Sequence, residues 1–277
     1  MTLAARALAV AGAAVLLGVP GTALAASGDD APAGYDVSHP QCGERLPQRA
    51  SFAVVGVNGG IATRANPCLA DQLEWATEAT GTHRATGADG ATGGDAVELY
   101  VNTANPGEVI DRITTWPVTG STPYGTCDGS NSAACSWQYG WTRAAAAVRV
   151  FTSAARDADV DDDPAAYRWW LDVETENTWQ AGSPGSRARN RAVLEGMVTQ
   201  LQDGGAEVGL YSSDRQWAAI AGEVPARSLL HDLDSWLAGA DGAHEAAADC
   251  AEDPLGPGGR VVLTQYTDDG LGRDVAC

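Results

Sequence analysis

Tyr167-Arg168-Trp169-Trp170-Leu171-Asp172-Val173-Glu174 reads as a strand, aromatic and aliphatic along its length and acidic where it ends. Side chains alternate across a strand, so Asp172 and Glu174 leave on one face while Leu171 and Val173 leave on the other. Two carboxyls on one face of so apolar a strand repel each other. That repulsion raises one pKa and keeps a proton available near neutrality. The plain alternative is an exposed strand end carrying two independent, solvated acids, and the apolar Leu171/Val173 face weighs against it.

Around this strand, short β-like runs alternate with helical stretches, the order that builds a parallel sheet. Upstream lie Tyr35–Ser38, Phe52–Val57 and Val97–Val101; downstream lie Val208–Tyr211, Ser235–Ala238, Val261–Tyr266 and Asp274–Ala276. Helices are expected over Cys68–Glu78, Trp137–Asp157, Asn190–Leu201, Asp214–Ile220 and His244–Ala251, with Gly204-Gly205 ending the third. Residues 103–136, rich in Pro, Gly, Ser and Thr, form a long excursion of the kind that is functional or inserted. Asp161-Asp162-Asp163-Pro164 reads as a solvated turn in preference to a calcium loop.

Eight strands with helical or loop crossovers over about 250 residues fit the α/β class, as a (β/α)8, TIM-barrel-like single domain. A doubly wound open sheet is the rival, but it calls for a Gly-rich phosphate loop after the first strand, which this chain lacks. In a barrel, one of Trp169 and Trp170 faces the helices and the other the lumen. Strand eight closes onto strand one, so Asp36 and Asp274 are expected beside Asp172 and Glu174.

The chain is built for export. Residues 1–25 read as a cleavable signal peptide: Arg6 gives the positive start, Ala7–Val19 the uncharged apolar run, and Ala23-Leu24-Ala25 the small residues of a cleavage site. A short polar linker, 26–33, then leads into a domain of residues 34–277. Cleavage removes one of 17 Arg and no acid, so 16 Arg face 36 Asp and Glu and the charge moves from -19 to -20. Such a balance excludes nucleic acid, whose phosphates need a basic face. No membrane association is expected once the signal is removed, and the secreted domain is expected as a monomer.

Six Cys in an exported chain imply three disulfides. Proximity pairs Cys127 with Cys135; Cys42 and Cys68 each follow a strand exit, and Cys250 is placed to hold Cys277. No CxxC pair occurs and the four His are scattered, so neither a metal nor any other cofactor is expected.

Most catalytic classes drop out for want of their motifs: there is no GxSxG elbow, HExxH helix or P-loop. What remains is carboxylates at strand ends, together with nine Trp and seven Tyr. Paired carboxyls are the equipment of glycosidic cleavage.

Four motifs in order carry a family resemblance. Tyr35-Asp36-Val37-Ser38-His39 resembles the opening DVSH strand of the family 25 glycoside hydrolases, the secreted lysozyme-like muramidases. Leu171-Asp172-Val173-Glu174 is similar to their central DxE strand. Leu210-Tyr211-Ser212-Ser213, with Trp217 following, resembles their YS/YT motif, and Gln265-Tyr266 through Asp274 their closing WQY…D segment. The resemblance implies that Glu174 is the catalytic acid and that Asp172 orients an N-acetyl group or stabilises the developing cation. It implies further that Asp36 and Asp274 complete an acidic floor, and that the substrate is cell-wall polysaccharide of peptidoglycan type.

Tyr211 and Trp179 are candidates to stack on sugar rings, and Asn58, Asn102 and Gln265 to bind substrate. Trp75, Trp141 and Trp217 sit in helices, where core packing is expected. Strands two and three exit at Asn58 and Asn102, without the charged or aromatic exits usual in such muramidases. That departure supports the alternative, a noncatalytic cell-wall or glycan-binding protein on the same barrel.

Overall fold

Among the described residues, ten strands follow in chain order: β1 (Gly34–Val37), β2 (Ala53–Gly56), β3 (Val97–Asn102), β4 (Gly120–Thr122), β5 (Gly125–Cys127), β6 (Arg168–Asp172), β7 (Glu207–Ser212), β8 (Ser235–Ala240), β9 (Val261–Asp268) and β10 (Leu271–Ala276). Eight of them close a barrel in the order β1-β10-β9-β8-β7-β6-β3-β2, while β4 and β5 form a separate hairpin. The computed structural model describes residues 34–82 and 96–277. The expected signal peptide and linker lie outside the described residues. Five α-helices are present among them: α1 (Leu69–Thr80), α2 (Ala133–Asp157), α3 (Pro184–Asp203), α4 (Asp214–Ile220) and α5 (Ala243–Asp249).

The expected eight-stranded barrel is found, with one change of direction. The barrel strands β1, β2, β3, β6, β7, β8 and β9 pair in parallel with their neighbours in that order, but β10 runs antiparallel to both β9 and β1. Only Asp269 and Gly270 separate β9 from β10, and their φ of 51° and 78° are both left-handed. Two such residues make a tight hairpin, whereas a parallel return needs a dozen or more. The last strand is therefore longer than the expected Asp274–Ala276, and it climbs the barrel in reverse.

Two helices begin earlier than expected. Ser132 caps α2 by accepting from Cys135 N–H, and Ser183 caps α3 by accepting from Ser186 N–H, with Pro184 in its first turn. The 103–136 excursion thus holds a 3-10 turn at Gly107–Arg112, the β4–β5 hairpin and the start of α2.

Two apolar clusters hold the fold. The larger lies between sheet and helices, where Trp169 meets Phe151 of α2 edge-on at 5.5 Å. The smaller fills the lumen with Val54, Trp170, Tyr211, Trp236 and Leu263. Trp170 and Trp236 meet edge-on at 5.8 Å, and the Trp170 indole N–H donates to Glu98 Oε2. Trp169 and Trp170 thus divide between helices and lumen as their alternation requires. Trp217 is buried and Trp75 packs against the outer core. Trp141 departs from the core expectation: it is 37% exposed, at the flank of the α2 stripe formed by Tyr139, Gly140, Ala144, Ala147 and Phe151.

Disulfides join Cys42 to Cys68, Cys127 to Cys135 and Cys250 to Cys277. The first ties the loop after β1 to the start of α1. The second pins the hairpin to α2, and the third tethers the end of β10 to α5. The acidic turn is a capping device: Asp163 accepts from Ala165 N–H, Asp161 from Asp163 N–H, and Asp162 pairs with Arg156.

Candidate active site

Asp172 is the last residue of β6, and the chain beyond it is held on both sides. The Asp172 carbonyl accepts from the Thr103 N–H at 3.1 Å and its hydroxyl at 2.5 Å. Val173 N–H donates to the Tyr211 carbonyl, and the Ser212 hydroxyl donates to the Val173 carbonyl at 2.7 Å. Glu174 therefore leaves the strand end in a set direction, and its own carbonyl accepts from the Trp179 indole at 2.9 Å.

The two carboxyls act on each other's proton affinity. Asp172 is 2% exposed; its Oδ2 accepts from Asn102 Nδ2, and its Oδ1 has no hydrogen-bond partner among the described residues. Burial, then the Glu174 charge, hold the Asp172 proton well above the usual carboxylate range. Glu174 is half-buried and also raised, by desolvation first and by the Glu176 charge second. The pair titrates as a unit, with the enclosed partner gripping its proton more tightly.

A second pair sits beside the first. Asp36 comes from β1 and Asp274 from β10, and the register pairs Asp36 with Gly272 and Asp274 with Gly34. Because β10 runs in reverse, Asp274 meets Asp36 from below, two residues deeper in the lumen. Asp274 Oδ1 accepts from the Trp236 indole at 2.9 Å. Asp36 Oδ2 accepts from Gln265 Nε2 at 2.7 Å, and Gln265 Oε1 accepts from the Tyr211 hydroxyl at 2.7 Å. Desolvation raises Asp36 to about 6, with the Gln265 bond opposing it, and holds Asp274 well above the usual range.

All the candidate residues gather at this end of the barrel. Asn58 Oδ1 accepts from the Asn102 backbone N–H at 2.8 Å, so both asparagines stand behind Asp172. Tyr211 lies against Trp236 at 4.3 Å between centroids. Trp179 packs half-buried against the outer core. Three participants carried no sequence signal of their own. Tyr100, next to Asp36, Asp172 and Glu174, is pushed up by burial first and by the Asp36 charge next. Trp236 caps the lumen beneath the acids. Gln216 reaches from α4 to Thr175, the residue after Glu174; the Ser213-x-x-Gln216 spacing reads as an ordinary capping box and conceals it. No group of three or more His, Cys, Asp or Glu among the described residues is arranged to hold a metal ion. A surface depression of about 810 Å3, lined by Arg187, Trp217, Glu223, Val224, Asp253 and Leu255 among others, contains none of the candidate residues.

Residues 145–250 match a family model described as Lysozyme-like protein 1. That span runs from α2 through α5 and carries Asp172, Glu174 and Tyr211, but neither β1 nor β9 and β10. The probable GH family 25 lysozyme 4 of Dictyostelium discoideum is 32% identical over 101 residues. The chain resembles the family 25 lysozymes. The family-25-like alignment covers 36% of this chain and 42% of that protein, so the chain spans under half the length of the curated relative it matches. Among solved structures, the muramidase from Trichobolus zukalii aligns over 89% of this family-25-like chain and 94% of its own, at 16% identity and a TM-score of 0.47. The modular autolysin LytC from Streptococcus pneumoniae, in complex with a synthetic peptidoglycan ligand, aligns over 88% and 45% at 14% identity and the same TM-score.

Proposed function

We propose that this chain is an exported glycoside hydrolase that cleaves cell-wall polysaccharide of peptidoglycan type. The observation that carries the reading is the Asp172/Glu174 pair, two carboxyls both raised first by burial at the exit of a barrel strand, where barrel enzymes place their chemistry. The match to the family model described as Lysozyme-like protein 1, over residues 145–250, includes the strand that holds this pair. In this reading residues 1–25 are a signal peptide, 26–33 a linker and 34–277 the catalytic domain, acting as a secreted monomer on glycan.

Glu174, the more accessible partner, gives its proton to the leaving glycosidic oxygen. Raised pKa values keep that proton in place in mildly acidic medium. Asp172 presents Oδ1, the oxygen that Asn102 leaves free, toward the substrate's acetamido group or the developing cation. Asp36, ionised above about 6, adds negative charge beside a transition state with oxocarbenium character. As pH falls through about 6, Asp36 takes up a proton and that charge is lost, while Asp274, raised further, stays protonated beside it. Gln265 and Tyr211 hold Asp36, Asn58 and Asn102 hold Asp172, and Trp179 holds the Glu174 backbone. These five reach the sugar through the carboxyls they steady.

The test is purified mature protein incubated with peptidoglycan, with mass analysis of the sugars released. Glu174→Gln keeps the shape of the side chain and removes its transferable proton, so turnover falls by about 10²–10⁴-fold while glycan binding persists. Asp172→Asn is also severe, and Asp162→Asn in the acidic turn is the neutral control. An unchanged rate for Glu174→Gln removes the acid from this reading. The enclosure of Asp172 and Asp274, at 2% and 3% exposed, favours a second reading, a noncatalytic glycan-binding barrel. Binding of glycan by parent and variant alike, with cleavage by neither, establishes that one instead.

A further inference from the structure

Gln216 is the third residue of α4, and its neighbours follow the pattern of a capped helix start. Ser213 Oγ accepts from the Gln216 backbone N–H, the first half of a capping box. The second half would send the Gln216 side chain back to the Ser213 N–H. It goes elsewhere. Gln216 Oε1 accepts from the Thr175 N–H at 2.5 Å and from the Thr175 hydroxyl at 2.9 Å, across to the chain leaving β6. Both bonds land on the residue that directly follows Glu174, so the Gln216 oxygen fixes the chain where the Glu174 side chain departs. Together with the Trp179 indole on the Glu174 carbonyl, this grips Glu174 from both sides of its own residue.

We propose that Gln216 is the positioning residue for Glu174: its carboxamide oxygen fixes the Thr175 backbone and hydroxyl and so sets the direction in which the Glu174 carboxyl leaves the strand end. The inference rests on the reading of Glu174 as the acid. Its consequence is electrostatic as well as geometric. The groups facing Glu174 are Asp172 on β6, Glu176 in the following loop, Asp36 on β1, Tyr100 on β3 and Tyr211 on β7. Ionised, every one of them is an anion that disfavours a charged Glu174. The Gln216 amide and the bond from Asp172 are the interactions that favour the ionised form. Gln216 therefore restrains the proton affinity of Glu174, so that the proton can still leave in mildly acidic medium.

The experiment compares Gln216→Met, which is near in shape but cannot hydrogen-bond, and Gln216→Glu, which keeps an acceptor for Thr175 but sets a carboxylate against Glu174. The probes are the pH profile of peptidoglycan hydrolysis and the titration of the Glu174 side-chain carboxyl carbon by 13C NMR, with thermal melts to show that each variant is folded. Gln216→Met moves the Glu174 titration upward by about one pH unit, and Gln216→Glu moves it at least as far. The limb of the profile governed by Glu174 moves with it. A residue that merely supported the fold would lower the melting temperature and leave the titration in place. A titration unchanged in both folded variants overturns the inference. Glu174→Gln, measured alongside, separates the two readings. If it hydrolyses peptidoglycan as fast as the parent, the acid has been misassigned, whatever Gln216 does. If it is inactive while the Gln216 variants titrate as the parent, only the positioning role fails.

Discussion

Asp36 makes the protein more stable in acid than at neutrality. In the unfolded chain this carboxyl ionises near 3.8, and burial in the folded barrel raises it to about 6. The folded state thus binds the proton more tightly, and the stabilisation is fully present below the unfolded value. It is lost as pH rises through the folded one, because ionising the buried group costs more than ionising the free one. A shift of this size amounts to about 2–3 kcal/mol between about pH 4 and about pH 7. Asp172 and Asp274 are raised in the same direction, so they add to the loss rather than cancel it. In a domain of this size, 2–3 kcal/mol corresponds to a fall in Tm of about 4–12 °C. The assay is urea unfolding and thermal melting at constant ionic strength across that pH range, for the parent and for Asp36→Asn. Asparagine keeps an acceptor for Gln265 but does not titrate, so the variant's stability declines less steeply. A parent whose stability is flat or rises from about pH 4 to about pH 7 would show that the Asp36/Asp274 pair is not buried as described.

Gly272 lies against Asp36, and a Cβ there would stand 1.9 Å from Asp36 Oδ2. Gly272→Ala therefore pushes Asp36 off Gln265 and costs about 1–3 kcal/mol, with loss of hydrolysis. Gly242→Ala, where a Cβ meets nothing within 4 Å, is the control, and equal melting temperatures and activities for the two would refute the crowding. Removing the Cys250–Cys277 bridge by paired serines destabilises by about 2–4 kcal/mol, and by about 1 kcal/mol more than removing Cys127–Cys135. The larger effect follows from a sequence separation of 27 against 8, and chemical denaturation of the two double variants decides the order. Gly270→Val places a β-branched residue at φ 78° in the β9–β10 turn and costs about 1–2 kcal/mol. A melt unchanged from the parent would contradict the left-handed turn.

The sequence alone gave up most of the barrel because its strands are short, apolar and well separated. Phe52–Val57 and Tyr167–Glu174 are recognisable without any partner, and alternation divides Trp169 from Trp170 without reference to the fold. The DxE spacing placed Asp172 and Glu174 on one face, since a strand has period two whatever surrounds it. Three disulfides were legible in composition, and the pairing of Cys127 with Cys135 in simple proximity. The reversal of the last strand was also written, in Asp268-Asp269-Gly270, a tight-turn signal that the count of eight strands obscured.

What only the tertiary structure decided is how the four acids are enclosed. Closure of an expected barrel says that Asp36 and Asp274 meet; the antiparallel register says that one lies beneath the other, each with a different donor, Gln265 above and Trp236 below. Gln216 is the plainest case. Its local pattern prescribes a helix cap, yet its side chain serves Thr175, 41 positions away along the chain. Local sequence fixes backbone conformation because those forces act between near neighbours. A carboxyl's proton affinity depends instead on burial and on charges carried by other strands, and those come within reach only when the barrel closes.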